Sequence, residues 1–374
     1  LEREVELFAD CAVSDVAENL IGIFLNTRAA GRLDRIKGVE PAGIKKVAML
    51  GAGVMGSGIA AHLANAGIPV LLLDIVPPKL TEEDEKKGLT TKDPRFRNKF
   101  SAAGLEGIKK SKPAALYSKR YLPLIEIGNF EDDWDRLAEC DWIVEVVVER
   151  LDIKQQVFAR LEEVRTPGTI VSSNTSGLSI AGMTEGRSED FRQHFLVTHF
   201  FNPVRYMRLL ELVQGEDTKS EVIECLEKFC DKKLGKGVVV CNDTPGFLGN
   251  RVGVYAIQKA LHTAFEMGLT PEQADAVFGR PLGIPKTGVF GLYDLIGIDL
   301  MSDVAESLES ILPADDPFQA VATKPPVMVR MIDAGLIGNK GDKGGFYRPA
   351  DPARGISRKT LWEKIKLHAI TVEA

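Results

Sequence analysis

Two short apolar stretches each carry one side chain suited to acid–base work. Val197-Thr-His199-Phe-Phe-Asn202-Pro203 sets a histidine among apolar residues, and Leu209-Leu-Glu211-Leu-Val213 sets an acid among them. Imidazole changes charge near neutral pH and so can take and return a proton. If the stretches pair as antiparallel strands about a turn centred on position 205, facing positions have numbers summing to 410, and His199 faces Glu211. A carboxylate against one ring nitrogen fixes the tautomer and raises the basicity of the ring, making the other nitrogen a general base. A strand histidine can equally be a satisfied structural residue. An unpartnered carboxylate among Leu and Val, however, costs several kcal/mol to bury, so Glu211 calls for a partner. His62, His194, His262 and His368 have no such acid at matching spacing and read as structural or surface residues.

A second chemical signal precedes these strands. Val47-Ala-Met-Leu-Gly51-Ala-Gly53-Val54-Met55-Gly56 is an apolar run entering GxGxxG, with a helical stretch 54–66 behind it. The first glycine permits a tight turn, the second lets a pyrophosphate approach the backbone, and the third lets helix pack on strand. The helix N-terminus then presents unpaired N–H groups to phosphate. A glycine turn without a ligand is the bland reading. Against it stands Asp74, 23 residues past Gly51 at the end of the next apolar run, near the spacing of a ribose-binding carboxylate. A carboxylate there repels the extra phosphate of NADP, so the expected dinucleotide is NAD.

Between Lys92 and Arg120 lie nine basic residues and two acids, inside a chain whose net charge is −6. Such a segment attracts a phosphorylated ligand, or else it is a solvated helix face. Aromatic residues for base stacking are sparse in it, which suits a coenzyme A handle better than nucleic acid. Ser173-Asn-Thr-Ser176 closes another apolar run, and Asp243-Thr-Pro-Gly-Phe-Leu-Gly-Asn250-Arg251 opens a helical one. Ser176 and Asn250 each offer a hydrogen-bond donor, although turns and helix starts use the same residue types.

The elements that must hold these groups follow from periodicity. Residues 1–30 read as one amphipathic helix, with Val5, Phe8, Ala9, Ala12, Val16, Leu20, Ile23 and Phe24 at spacings of three and four. From Ile44 apolar runs alternate with helical stretches, the pattern of a βαβ sheet, with strands expected at 46–50, 69–73, 142–147, 169–173, 196–201, 209–213 and 237–241. After Asp243 only helices are expected, at 246–267, 271–278, 299–312 and 325–335. The fold class is therefore α/β, a Rossmann-like domain at 43–241 followed by an all-α domain at 242–348. A linker helix occupies 1–42, and 349–374 is a tail or the start of a further segment.

At 374 residues, 44% hydrophobic and 27% charged, the composition is that of a globular chain. No apolar run reaches the roughly 18–20 residues of a membrane-spanning helix. Five cysteines without a CxxC pair suggest neither a disulfide framework nor a zinc site, and no other metal set is expected. Reduced thiols and no visible secretory signal suggest a cytoplasmic protein. The start at Leu1 suggests a piece of a longer polypeptide.

Together these motifs resemble the NAD-dependent L-3-hydroxyacyl-CoA dehydrogenase family of fatty-acid β-oxidation, over residues 44–347. The resemblance rests on Gly51–Gly56, Val144-Glu-Val-Val-Val-Glu149, Ser173–Ser176, His199-Phe-Phe-Asn-Pro203, Asp243-Thr-Pro-Gly-Phe247 with Asn250-Arg251, and Gly344-Gly-Phe-Tyr347, in that order. It implies that His199 is the catalytic base, that Glu211 orients it, and that Ser176 and Asn250 hold the substrate oxygen. Glu149, Lys154 and Asn202 match positions at the NAD site, beside the glycine loop and Asp74. The family binds CoA near the helical excursion after its second strand, which here contains Lys109, Lys110 and Lys112. The implied partners are 3-hydroxyacyl-CoA and 3-oxoacyl-CoA, with an enoyl-CoA hydratase domain in the full-length chain; an isolated chain is expected to form a homodimer. No nucleic acid is implied. Two features depart from the family pattern. Its last lysine near nicotinamide corresponds to either Lys340 or Lys343, and Ile284-Pro-Lys-Thr-Gly288 replaces the usual Gly-Pro start of a loop. A hydroxy-acid or sugar-acid dehydrogenase without CoA, and a non-catalytic NAD-binding fragment, are the rival readings.

Overall fold

The computed structural model describes residues 2–30, 36–38, 43–282, 284 and 287–347. The tail expected at 349–374, part of the linker, and Pro285 and Lys286 lie outside them. The chain divides into two compact units between Asp243 and Thr244.

The first unit is built on one eight-stranded sheet: β1 (Val47–Leu50), β2 (Val70–Asp74), β3 (Ile125–Asn129), β4 (Trp142–Glu145), β5 (Ile170–Ser173), β6 (Phe195–Phe200), β7 (Leu209–Gln214) and β8 (Gly237–Asn242). The spatial order is β3-β2-β1-β4-β5-β6-β7-β8, and every neighbouring pair is parallel except β6 with β7. Order 3-2-1-4-5-6 is that of a doubly wound dinucleotide fold, whose ligands bind beyond the carboxyl ends of the strands, near the switch between β1 and β4. β1 is buried at every residue because both faces are covered, so Val47-Ala-Met-Leu50 shows no alternation of apolar and polar residues. Helix Val54–Asn65 packs Ile59, Ala60, Leu63 and Ala64 into the main core with Met49, Leu72 and Val144.

Two expectations are corrected. The strand β3 is missing from the sequence reading, because Ile125-Glu-Ile-Gly-Asn129 is short, carries an acid, and follows a 3-10 turn rather than a helix. The single helix expected over 1–30 is two, Glu2–Ala12 and Asp15–Ala30. Ser14 divides them: its hydroxyl donates to Cys11 O at 2.6 Å and accepts from the Ala17 amide at 3.2 Å, capping the second helix. No residue of either helix is buried, so the apolar stripe stands exposed.

The second unit contains helices Gly249–Glu266, Pro271–Val277, Phe290–Ile296, Ile298–Ile311 and Pro326–Asp333 around Leu261, Phe290, Tyr293, Met301, Met328 and Phe346. Helix Phe290–Ile296 is the one the sequence reading lacks. Its Asp294 accepts from the amides of Phe346 and Tyr347, both at 2.7 Å, which fixes the Gly344–Tyr347 motif to the bundle.

Candidate active site

The glycine loop leaves β1 with Gly51 at φ +116°, a conformation that disfavours a side chain. A Cβ at Gly56 would lie 1.9 Å from Gly51 O, so the third glycine is required for the helix to sit against the turn. A Cβ at Gly53 would meet nothing within 4 Å. The loop therefore keeps open space over its second glycine, at the start of a twelve-residue helix, which fits a pyrophosphate there. Val54 and Met55 form the first turn of that helix. Asp74 ends β2; its Oδ2 accepts from the Ala52 amide and its Oδ1 from the Ile75 amide, both at 2.7 Å. The acid thus braces the loop that it borders.

A cavity of about 790 Å³ opens beside this loop, lined in part by Gly53, Asp74, Phe100, Lys112, Asn202 and Arg205. The wall formed by residues 111–117 and 203–206 is tied by Arg205, which donates to the carbonyls of Ala114 (2.7 Å) and Leu116 (3.1 Å) and lies over the Tyr117 ring. Asn202 and Lys112 line this cavity. Lys109 instead meets Glu106 at 2.5 Å on its own helix, and Lys110 approaches the same acid at 4.0 Å.

Part of the local excess of positive charge is paired with acids. Arg95 pairs with Asp93, Arg97 with Glu131 and Asp132, and Lys99 with Asp84. Three of those partners lie outside the segment, where a count along the sequence does not find them.

At the other side of the sheet switch, β6 and β7 pair with His199 opposite Glu211. His199 Nδ1 and Glu211 Oε2 are 2.6 Å apart, with Glu211 wholly buried and His199 5% exposed. An ionised carboxylate only accepts, so Nδ1 carries the proton and Nε2 is the accepting ring nitrogen. The Cys241 thiol of β8 lies 3.8 Å from Glu211 Oε1. The arrangement can accept a proton at Nε2 and stabilise the resulting cation with a buried negative charge.

A group not singled out from the sequence stands at the end of β4. Glu145 is wholly buried and bonds Lys154 Nζ at 2.7 and 2.9 Å. Lys154 also reaches Glu149 at 3.3 Å. Glu149 accepts from the Ser176 amide at 3.1 Å and from the Thr175 hydroxyl. So Glu149, Lys154 and Ser176 form one network, whereas Asn250 belongs to helix Gly249–Glu266 of the second unit. The reasoning applied to Glu211, an acid inside an apolar strand, would have found Glu145 as well. Of the two candidate lysines near the C-terminus, Lys340 pairs with Asp299 at 3.0 Å and Lys343 donates to Ala334 O at 2.7 Å.

Residues 46–244 match the family model for the 3-hydroxyacyl-CoA dehydrogenase NAD-binding domain, and residues 246–348 match that for its C-terminal domain. The chain belongs to the 3-hydroxyacyl-CoA dehydrogenase family. It is 43% identical over 333 residues to a Bacillus subtilis (strain 168) protein named "Probable 3-hydroxyacyl-CoA dehydrogenase", covering 88% of this chain and 42% of that one. A like-named Deinococcus radiodurans protein is 42% identical, with 82% of this chain and 84% of the relative covered. The fatty acid oxidation complex subunit alpha of Acinetobacter baylyi is 32% identical over 96% of this chain and 47% of its own. The chain thus spans less than half of two of these three relatives. Among solved structures of 3-hydroxyacyl-CoA dehydrogenase type, (S)-3-hydroxybutyryl-CoA dehydrogenase PaaH1 from Ralstonia eutropha is similar with a TM-score of 0.62 at 28% identity, over 83% of this chain and all of that one. No helix among the described residues is long and apolar enough to cross a membrane.

Proposed function

We propose that this chain oxidises (S)-3-hydroxyacyl-CoA to 3-oxoacyl-CoA with NAD, as a step of fatty-acid β-oxidation. The observation that carries the reading is the buried His199–Glu211 pair, 2.6 Å across two antiparallel strands, in a domain of the NAD-binding family. Bound NAD supplies the hydride acceptor. His199 Nε2 takes the proton of the 3-hydroxyl as the C3–H bond gives up its electron pair, leaving a C3 carbonyl. Glu211 keeps the ring oriented and offsets the charge of the imidazolium, while Ser176 and Asn250 hold the substrate oxygen. Positioned proton transfer of this kind contributes roughly 10²–10⁴-fold. The glycine loop (Gly51, Gly53, Val54, Met55, Gly56), Asp74, Glu149, Lys154 and Asn202 hold the coenzyme.

Lys109, Lys110 and Lys112 receive the CoA phosphates. The exposed pairs of Lys109 and Lys110 with Glu106 are weak enough to exchange for a more highly charged ligand. Residues 1–42 act as a linker to a hydratase domain in the longer polypeptide, and an isolated chain pairs with a second copy. Its place is the cytoplasm, in keeping with five cysteines of which no two form a CxxC pair.

Following NADH absorbance with acetoacetyl-CoA, free acetoacetate and NADPH tests the reading. NADH oxidation with the CoA ester alone is expected. Turnover of the free acid would replace it with a hydroxy-acid reading, and NADH binding without turnover would mark a non-catalytic fragment.

A further inference from the structure

The Glu145 carboxylate has all its acceptor capacity in use. Its Oε1 accepts from Lys154 Nζ at 2.7 Å and the Val147 amide at 2.6 Å; its Oε2 accepts from Lys154 Nζ at 2.9 Å and Ser173 Oγ at 2.6 Å. Lys154 is 1% exposed and Glu145 is 0% exposed, so solvent screens neither. From Lys154 the contacts continue to half-exposed Glu149 and then to the Ser176 amide and the Thr175 hydroxyl. One chain of charge contacts therefore joins the interior of the sheet to its carboxyl edge, beside the strand switch.

We propose that Glu145 is a positioning residue for the coenzyme site: its buried negative charge keeps Lys154 protonated, and charged Lys154 holds Glu149 and residues 175–176 in the geometry that receives the dinucleotide. The inference rests on the proposed assignment of Glu149 and Lys154 to that site. An ammonium in a dry environment is unstable without a counter-charge and sheds its proton instead. Glu149 alone is a poor counter-charge, being longer in contact and half in water. The charged groups facing Lys154 are Glu145 from β4 and Glu149 from the loop after it. The neighbouring Arg150 and Asp152 are engaged with one another at 2.5 Å. Burial is the larger influence on Glu145 and raises its carboxyl, with Lys154, the Ser173 hydroxyl and the Val147 amide pulling the other way. Ser173 thus helps to keep the acid ionised.

The test is NADH affinity of the full chain, read by fluorescence from pH 5 to 9, alongside the melting temperature. Glu145→Gln is expected to bind within about threefold of wild type at pH 6.5 and about tenfold or more weaker at pH 9, as uncompensated Lys154 loses its proton. Glu145→Asp restores the wild-type profile. A purely structural role would lower the melting temperature while the affinity ratio to wild type stayed constant across pH, and that result overturns the proposal. Ser173→Ala, which nearly conserves volume, serves if Glu145→Gln does not fold. Its acid-side loss of NADH affinity begins at higher pH than in wild type, and superimposed acid limbs reject the idea. A wild-type chain that binds no NADH would instead overturn the coenzyme assignment and this inference with it.

Discussion

Replacing Glu211 by Gln removes a charge and nearly nothing else, because the side chains are of equal length and the amide oxygen can still accept from His199 Nδ1. In the proposed mechanism the base starts without a charge of its own, so the lost charge of Glu211 matters little to substrate binding. As His199 takes the proton, an imidazolium forms against the carboxylate, with Nδ1 and Oε2 2.6 Å apart in a wholly buried setting. Charge centres roughly 4 Å apart at an effective dielectric constant of about 20 attract by about 4 kcal/mol. That stabilisation exists only once the proton moves, so it lowers the barrier and not the ground state. About 4 kcal/mol corresponds to roughly 10³ in rate. The assay is NADH formation from 3-hydroxybutyryl-CoA and NAD under saturation. We expect Glu211→Gln to lose about 10³-fold in kcat with less than threefold change in NADH affinity and little change in melting temperature. A kcat within tenfold of wild type, in a folded variant that binds NADH normally, would refute the electrostatic argument.

Three further outcomes are expected. Gly56→Ala drives a methyl group into Gly51 O, and overpacking of this kind costs about 1–3 kcal/mol; the variant should melt lower and lose NADH affinity, and unchanged NADH titration would show that the loop accommodates a side chain. Asp74→Ser removes a charged acceptor worth about 1.5–3 kcal/mol to a ribose hydroxyl, so NADH should bind about ten- to a hundredfold more weakly while NADPH gains relative to it. An unaltered NADH/NADPH ratio in competitive titrations would exclude Asp74 from coenzyme choice. Burial, and then the nearby Lys236 ammonium, lower His62 from 6.5 to about 4. Below pH 6.5 the unfolded chain therefore binds a proton that the folded chain refuses, and stability falls as pH drops toward 4. Between pH 7 and 5 the loss from this residue is about 2 kcal/mol, measurable as a urea midpoint shift; His62→Gln should reduce that slope, and an equal slope in both proteins would contradict the assignment.

What could be read from the sequence was the part fixed by local chemistry. The glycine loop, Asp74 and the antiparallel register depend on spacing within about 25 residues, and a strand pair about a short turn has few registers that keep its apolar residues buried. The NAD-binding fold, followed by a helical domain, was legible for the same reason. β3 was not, because its five residues owe their strand state to parallel pairing with β2 rather than to their own pattern. The fate of the basic segment was hidden too, since Glu131 and Asp132 reach Arg97 from 34 and 35 residues away. Glu145 was overlooked although its strand, Trp142-Ile-Val-Glu145, carries the same sign as that of Glu211. Its partner Lys154 stands one helix turn into Leu151–Val164, where a lysine ordinarily reads as solvent-facing.

The pairing of His199 with Glu211 through a backbone ladder separates two design problems that loops usually entangle. Five consecutive register positions from Leu196↔Gln214 to Phe200↔Leu210 set the pair opposite one another, and of residues 201–208, which join the two strands, Phe201 packs edge-on against the His199 ring with centroids 4.6 Å apart. Substitutions in this connection beyond Phe201 leave His199 and Glu211 facing one another as long as the ladder keeps its register. The same eight residues include Asn202 and Arg205 in the cavity wall. Variation at Arg205 can resize the cavity without touching the His199–Glu211 contact, whereas a slip of a single position would turn His199 and Glu211 to opposite faces. In the proposed reading, the proton chemistry of this chain rests on a strand register, while part of its cavity wall is shaped by the connection between the strands.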